Sequence, residues 1–278
     1  MPSVVVERAR AKVNVALHVL GRRADGYHEL DSIVAFADYG DSLVLEPAAV
    51  TSLAVNGPFA SDVPTDESNL VLKAHALLSS HVACPPVRFV LEKNLPVASG
   101  IGGGSTDAAA ALRGLLRLMG ASLAPSQLTM LALQLGADLP VCLEGRSVRM
   151  RGVGETLTPL ANPVAAAIVL ANPRVPCATS AVFKAMGLKN GETYRSGLDP
   201  DAPALWRNDM TEAAISAVPV IADVLIALGK AEGLHSVRMS GSGATCFGLA
   251  DSLEAAQTAA KHLQTRHPDW WIVSAAIV

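Results

Sequence analysis

The stretch best suited to chemistry is Leu95-Pro96-Val97-Ala98-Ser99-Gly100-Ile101-Gly102-Gly103-Gly104-Ser105-Thr106-Asp107, which runs straight into Ala108-Ala109-Ala110-Ala111-Leu112. Gly100, Gly102, Gly103 and Gly104 free the backbone for dihedrals that other residues avoid. Ser105, Thr106 and Asp107 offer N-cap chemistry, and the alanine run has the highest helix propensity available. The expected product is an amide-rich turn feeding a helix N-terminus, where unpaired N–H groups and the helix dipole both favour negative charge. Such a site suits a phosphate. The loop has no Lys of the GxxxxGK[ST] pattern, and Ser105 breaks GxGxxG, so neither a Walker A nor a dinucleotide-binding reading applies.

Four other groups could do chemistry. Lys12 and Asn14 stand two residues apart, so on a strand they share a face; an exposed edge-strand lysine is the structural alternative. Tyr27-His28 pairs an aromatic ring with an imidazole, able to stack on a planar ring and hydrogen-bond its edge, or simply to open the next strand. Asp138, in Leu135-Gly136-Ala137-Asp138-Leu139-Pro140-Val141, reads equally as an N-cap or as a base or metal ligand beyond a helix end. Ser240-Gly241-Ser242-Gly243 is a second glycine loop, sufficient as a hairpin turn, although two such loops in one chain suggest two domains facing one ligand.

Several elements must position these residues. Arg8 to Val19 alternates with a period of two, Val13, Val15, Leu17 and Val19 opposing Lys12, Asn14, Ala16 and His18, which predicts a strand. Gly21 to Gly26 reads as a basic turn and Leu30 to Val34 as a strand. Asp38-Tyr39-Gly40-Asp41 reads as another turn before a short strand, Ser42 to Glu46. Ser68 is expected to cap a helix from Asn69 to about His81, and Val87 to Lys93 to form the strand that delivers the glycine loop. The helix after the loop ends at Gly120, and a further one, Ser126 to Leu135, stops at Gly136. Gly152 to Glu155 closes this half, and a composition shift at Pro159 to Pro163 divides residues 1–160 from 161–278. The second half reads as strand (165–170), helices (179–232), strand (236–239), loop, strand (244–249), helix (252–263) and strand (270–278), a split βαββαβ layout with inserted helices.

Composition bounds the function. Half of the 278 residues are hydrophobic and 17% are charged, which suits a packed α/β protein of one large or two ordinary domains. The formal net charge of −3, from 22 basic and 25 acidic residues, argues against a nucleic-acid partner. Cys84, Cys142, Cys177 and Cys246 are widely spaced, as buried thiols of a reducing compartment would be. The N-terminus, Met1 to Arg8, has no signal-peptide core and no apolar run reaches membrane-spanning length, so a cytoplasmic protein with no membrane partner is expected.

Three segments together resemble the motifs of the GHMP small-molecule kinases: Lys12-x-Asn14, the Pro96 to Ala108 loop, and Met239-Ser-Gly-Ser-Gly-Ala-Thr. The resemblance runs from Lys12 through Phe247. Ala9 to Asn14, Arg23-Ala24-Asp25-Gly26-Tyr27-His28 and Gly136 to Val141 narrow it to members whose alcohol substrate carries a cytidine diphosphate. It implies a two-domain α/β (α+β) fold, with an N-terminal domain like domain 2 of ribosomal protein S5, a ferredoxin-like C-terminal domain and the active site in the cleft between them. It implies ATP bound by Pro96 to Thr106 with Asn69 and Lys93 near the adenine, and Mg2+ whose ligands stay unassigned. It also implies Asp138 as the base for the substrate hydroxyl with Lys12 as its charged neighbour. Tyr27 and Phe183 would sandwich the cytosine, His28 would read its edge, and Asn14 and Thr179 would line the same pocket. A monomer or weak homodimer acting on a small molecule is expected. Asp107 stands where relatives carry Asn and is read as part of the helix cap. Two alternatives differ in their requirements: a kinase for another alcohol, such as homoserine, needs no base sandwich, and a catalytically dead regulator need keep neither Lys12 nor Asp138.

Overall fold

The computed structural model describes residues 4–278; Met1 to Ser3, where the N-terminal reading begins, lie outside the described residues. The chain forms two compact units that interleave along the sequence. The first holds residues through Ala11, Gly40–Val97 and Gly102–Gly145; the second holds Lys12–Tyr39, Ala98–Ile101 and Arg146–Val278. The sequence-based division at 160/161 is a single cut, whereas two long strands, β1 (Val5–Arg22) and β2 (His28–Pro47), run through both units.

Strand β2 corrects one expectation. Asp38 to Asp41 does not turn the chain; the strand continues for 20 residues. Gly40 serves close packing, because a Cβ there would overlap the Ala9 carbonyl, and Asp41 points its carboxylate inward. Both are turn-forming residue types, but here packing decides their use.

In the first unit, β2 pairs antiparallel with β4 (Val87–Glu92), Ser42 opposite Glu92, and β3 (Ser52–Asn56) lies parallel to β4. Helices α1 (Leu70–Ser79), α2 (Gly103–Met119), α3 (Pro125–Leu135) and α4 (Leu139–Glu144) complete it. The core gathers Leu43, Leu45, Phe89, Leu91, Leu112 and Leu115, all fully buried. Helix α2 lies so close to the sheet that a Cβ on Gly114 would meet Leu45 Cδ1 at 2.6 Å. Gly120, at φ 62°, ends α2 as expected. The cap of α1 is Asn69, whose side-chain oxygen accepts from Val71 N at 2.8 Å. Ser68, the expected cap, instead turns its hydroxyl to Asp66.

In the second unit, β5 (Val148–Gly152) pairs antiparallel with the start of β2 and with β6 (Thr156–Pro159). A four-stranded antiparallel sheet follows, in the order β10 (Trp271–Ala276), β7 (Ala167–Asn172), β9 (Cys246–Ala250), β8 (His235–Met239). Helices α5 (Thr179–Met186), α6 (Thr211–Ala217), α7 (Val220–Gly229) and α8 (Leu253–Arg266) share a core with it around Val169, Val182, Ile221, Val224 and Cys246. The expected strand and helix order of this half matches element by element. Between α5 and α6 the chain returns to β1. Asp209, held by Arg195 and Arg207, accepts from Val19 N, and Asp31, paired with Arg149, accepts from Leu198 N.

Candidate active site

Lys12 is 3% exposed, so the edge-lysine alternative fails: β1 is buried on both faces here. Its ammonium donates to Asn14 Oδ1 at 3.3 Å, Asn14 Nδ2 donates to Ser32 Oγ at 2.8 Å, and Ser32 Oγ donates to the Ala16 carbonyl at 2.6 Å. This chain of donors fixes the Asn14 amide and gives the Lys12 ammonium a defined direction. Burying a charge is costly unless its donors are used, so a lysine placed this way is there for more than solubility.

The second unit, which holds Lys12, also seats Ala98 to Ile101 of the glycine loop. Lys12 N donates to the Ile101 carbonyl at 3.0 Å, Thr245 N to Ser99 O at 3.0 Å and Cys177 N to Ala98 O at 3.2 Å. Ser240 Oγ accepts from Asn14 N at 3.1 Å and donates to Gly100 O at 3.0 Å. One hydroxyl therefore joins the first strand, the first glycine loop and the second. The two loops pack backbone to backbone: a Cβ on Gly100, at φ 76°, would overlap the Ser240 carbonyl, and one on Gly241 would meet Gly100 O at 2.6 Å. Only glycine allows that approach.

Other polar side chains hold the second loop from outside. Asn208 Nδ2 donates to both Met239 O and Gly241 O at 2.8 Å, while its Oδ1 accepts from Met210 N. Thr179 Oγ1 and Ser242 Oγ lie 2.8 Å apart, and Asn172 Nδ2 donates to Thr245 Oγ1. Thr179 thus stands beside the loop, as the first residue of α5. Ser32, Asn208 and Asn172 were not legible as site residues. Isolated polar residues between apolar runs carry no spacing signal, although the Arg207-Asn208-Asp209 cluster marks an unusually polar stretch before a helix.

The remainder of the glycine loop belongs to the first unit, and it starts α2 earlier than expected. Gly102, at φ 68°, is the N-cap and offers no side chain; Thr106 N donates to its carbonyl at 2.8 Å and Thr106 Oγ1 to Gly103 O. Amides of the first helical turn have no partner within a helix, which is the property an anion site needs. Ser105, Thr106 and Asp107 lie inside the helix, so the capping role expected of them is wrong. Asp107 is buried and its carboxylate accepts from Lys93 Nζ at 2.5 Å. Within the loop, Ile101 is fully buried and Val97 is exposed.

Asn69 and Lys93 are both engaged by the protein. The Asn69 side chain caps α1 and donates to Pro64 O at 2.7 Å. Lys93, 2% exposed, places its ammonium between Asp41 and Asp107, at 2.6 and 2.5 Å. Burial opposes its charge, but the two carboxylates outweigh burial and raise its pKa. Burial pushes the Asp107 carboxyl up to about 7, with Asp41 adding to the effect and Lys93 opposing it. Asp41 keeps the fuller set of donors, because its Oδ1 accepts from Asn94 N and Leu95 N.

Asp138 occupies the N-cap position of α4, yet its side chain makes no capping hydrogen bond, so capping does not account for it. Among the expected base-binding residues, the structure stacks His28 on Phe183, ring centroids 4.0 Å apart and 15° from parallel, while Tyr27 is 60% exposed. The ring against Phe183 is thus the imidazole. Arg22 organises this corner, donating to Gly26 O and Leu188 O. Burial and the Arg22 charge lower the His28 pKa, which keeps the ring neutral at neutral pH, and its Nε2 is buried with no partner among the described residues.

Two family models match the chain: the GHMP kinases N terminal domain over residues 69–146 and the GHMP kinases C terminal domain over 196–269. They define the class as a GHMP kinase. A 4-diphosphocytidyl-2-C-methyl-D-erythritol kinase of Cereibacter sphaeroides is 51% identical over 97% of this chain and 98% of its own length, and one of Bradyrhizobium diazoefficiens is 46% identical over 98% and 97%. A crystal structure of 4-(cytidine 5'-diphospho)-2C-methyl-D-erythritol kinase superposes with a TM-score of 0.81 at 34% identity, covering 98% of this chain and 99% of that one. Homoserine kinase from Cytophaga hutchinsonii, at 17% identity and a TM-score of 0.73, shares the fold. The chain belongs to the 4-diphosphocytidyl-2-C-methyl-D-erythritol kinases of the GHMP kinase family. No helix among the described residues is long and apolar enough to cross a membrane.

Proposed function

We propose that this chain transfers the γ-phosphoryl group of ATP to the 2-hydroxyl of 4-diphosphocytidyl-2-C-methyl-D-erythritol, giving the 2-phosphate and ADP. That step lies in the non-mevalonate (methylerythritol phosphate) route to isoprenoid precursors. Near-full-length identity to kinases of that name supports the substrate. The observation that carries the site is the Ser240 hydroxyl, which binds the Lys12–Asn14 strand and Gly100 of the glycine loop together. On this reading residues 1–160 form the nucleotide-binding domain and 161–278 the C-terminal domain, in keeping with the two matched ranges.

Phosphoryl transfer asks for positioning and charge neutralisation more than covalent help. Pro96 to Thr106 supply amides to the ATP phosphates. Asp138 takes or orients the proton of the substrate hydroxyl, a role supported by its position at the start of α4 within the Gly136 to Val141 segment. Lys12, held in direction by Asn14, supplies positive charge as the hydroxyl loses its proton. Tyr27, His28 and Phe183 recognise the cytosine: the neutral imidazole of His28 offers its unpartnered Nε2 to a base edge. His28 covers one face of Phe183 here, so a base stacked on Phe183 takes the other face or displaces the imidazole. Thr179 and Asn14 line that pocket.

Mg2+ accompanies ATP in this reading. The described residues include no group of three His, Cys, Asp or Glu side chains able to form an all-protein cage. A cation carried on phosphate oxygens asks for only one or two protein oxygens, so the donor set fits that mode and its ligands stay unassigned. The cation, when bound, neutralises phosphate charge. We also read the enzyme as cytoplasmic, a monomer or weak homodimer, and independent of nucleic acid, on its near-balanced charge.

The test is ADP release with ATP and Mg2+ on 4-diphosphocytidyl-2-C-methylerythritol, beside homoserine and mevalonate. Turnover with the cytidine compound alone is expected. Turnover with another alcohol would discard the cytosine pocket while keeping the phosphate loop, and no turnover with any, despite ATP binding, would favour a regulator.

A further inference from the structure

The glycine loop is gripped at its base by one buried cation. Lys93 Nζ donates to Asp41 Oδ2 at 2.6 Å and to Asp107 Oδ2 at 2.5 Å, and all three side chains are buried. The other oxygen of Asp41 takes the amides of Asn94 and Leu95, at 2.6 and 2.8 Å, the two residues just before Pro96. Asp107 lies in α2, just after the loop. A Cβ on Gly103, the first residue of α2, would stand 3.1 Å from the same ammonium. One charge thus fastens the chain where it enters the loop and where it leaves. The Lys93 backbone is fixed as well, its N–H donating to Asn56 O at 2.8 Å and its carbonyl accepting from Phe59 N.

An ammonium enclosed in this way is poorly placed to recognise a base. We propose that Lys93, through Asp41 and Asp107, is a positioning residue that sets the span of the phosphate-binding turn, and that its contribution is to polyphosphate binding rather than to adenine recognition. The inference rests on the reading that Pro96 to Thr106 bind the ATP phosphates. A span held by buried charge keeps the first-turn amides aimed at one point, and an anion gains most from donors that need no rearrangement.

Calorimetric binding separates this from its rivals and does not depend on which alcohol is the substrate. Lys93→Met leaves two buried carboxylates without their cation and is prone to misfold. The Lys93→Met/Asp107→Leu double variant removes charge in balance and leaves Asp41 its two backbone donors. In that variant the dissociation constants of ATP and of inorganic tripolyphosphate should rise together, tenfold or more, while that of adenosine stays within twofold. Asp107→Asn, which keeps an oxygen for Lys93, should return both polyphosphate constants to within threefold of wild type. A selective loss of adenosine binding would overturn the proposal, since Lys93 would then touch the base. Unchanged tripolyphosphate binding in a folded double variant would overturn it too, reducing the bridge to a structural role. If wild-type protein binds tripolyphosphate but turns over no cytidine substrate, the failure belongs to the substrate reading alone.

Discussion

Each unit holds one part of the glycine loop, and they do it by opposite chemistry. In the second unit the seat is made of neutral groups and close backbone approach: the Ser240 hydroxyl, the Asn208 amide, and Gly100 against Gly241. In the first it is a buried charge cluster, Asp41, Lys93 and Asp107. Neutral hydrogen bonds with glycine contacts are sensitive to added atoms and indifferent to pH. Buried charges respond to pH and to loss of a partner.

That contrast can be broken most severely at Gly100. Gly100→Ala forces a Cβ against the Ser240 carbonyl at a positive φ. It should cost about 3 kcal/mol or more in stability and abolish measurable turnover, read by denaturant unfolding and ADP release. A fully active, stable Gly100→Ala protein would mean that the loops do not need this contact.

Ser240→Ala is the next largest. It leaves the Asn14 amide and the Gly100 carbonyl without the hydroxyl that joins them, a loss of about 1–3 kcal/mol. Unfolding curves at several pH values should show the same deficit throughout, because no titrating group is touched.

Asp107→Asn sharpens the comparison from the other side. The Asp107 carboxyl is raised to about 7 in the folded protein from its ordinary 3.8, so between those values the folded state holds a proton that the unfolded state has released. Stability from this group therefore falls as pH rises through the window and levels off above it. The difference in unfolding free energy between wild type and Asp107→Asn should carry that slope. Lys93, raised above 10.5, keeps its contribution below that pH and loses it only as pH climbs through its folded value. A flat difference between the two proteins from pH 4 to 7 would remove Asp107 from the account.

Much of this was legible in the sequence. The period of two placed Lys12 and Asn14 on one strand, and the glycine loop announced α2. The strand and helix order of the second half could be read from apolar runs and glycine punctuation. What could not be read are the uses that tertiary contact gives to local signals. Asp38 to Asp41 has turn composition, yet Gly40 is there for the approach to Ala9 and Asp41 for Lys93 and two amides. Asp107 has capping chemistry, yet a glycine with positive φ starts the helix and frees the carboxylate for Lys93. The stack of His28 on Phe183 depends on the fold of Arg22 to Gly26 against the chain after α5, which no local pattern records.

The most direct measurement is single-turnover phosphoryl transfer by Asp138→Asn, with calorimetry showing that ATP and 4-diphosphocytidyl-2-C-methylerythritol are both bound. The substitution keeps size and fold but removes the base, so transfer should fall by about 100-fold or more with both ligands bound as in wild type. Transfer at the wild-type rate would contradict the assignment of Asp138 and, with it, the catalytic half of this account.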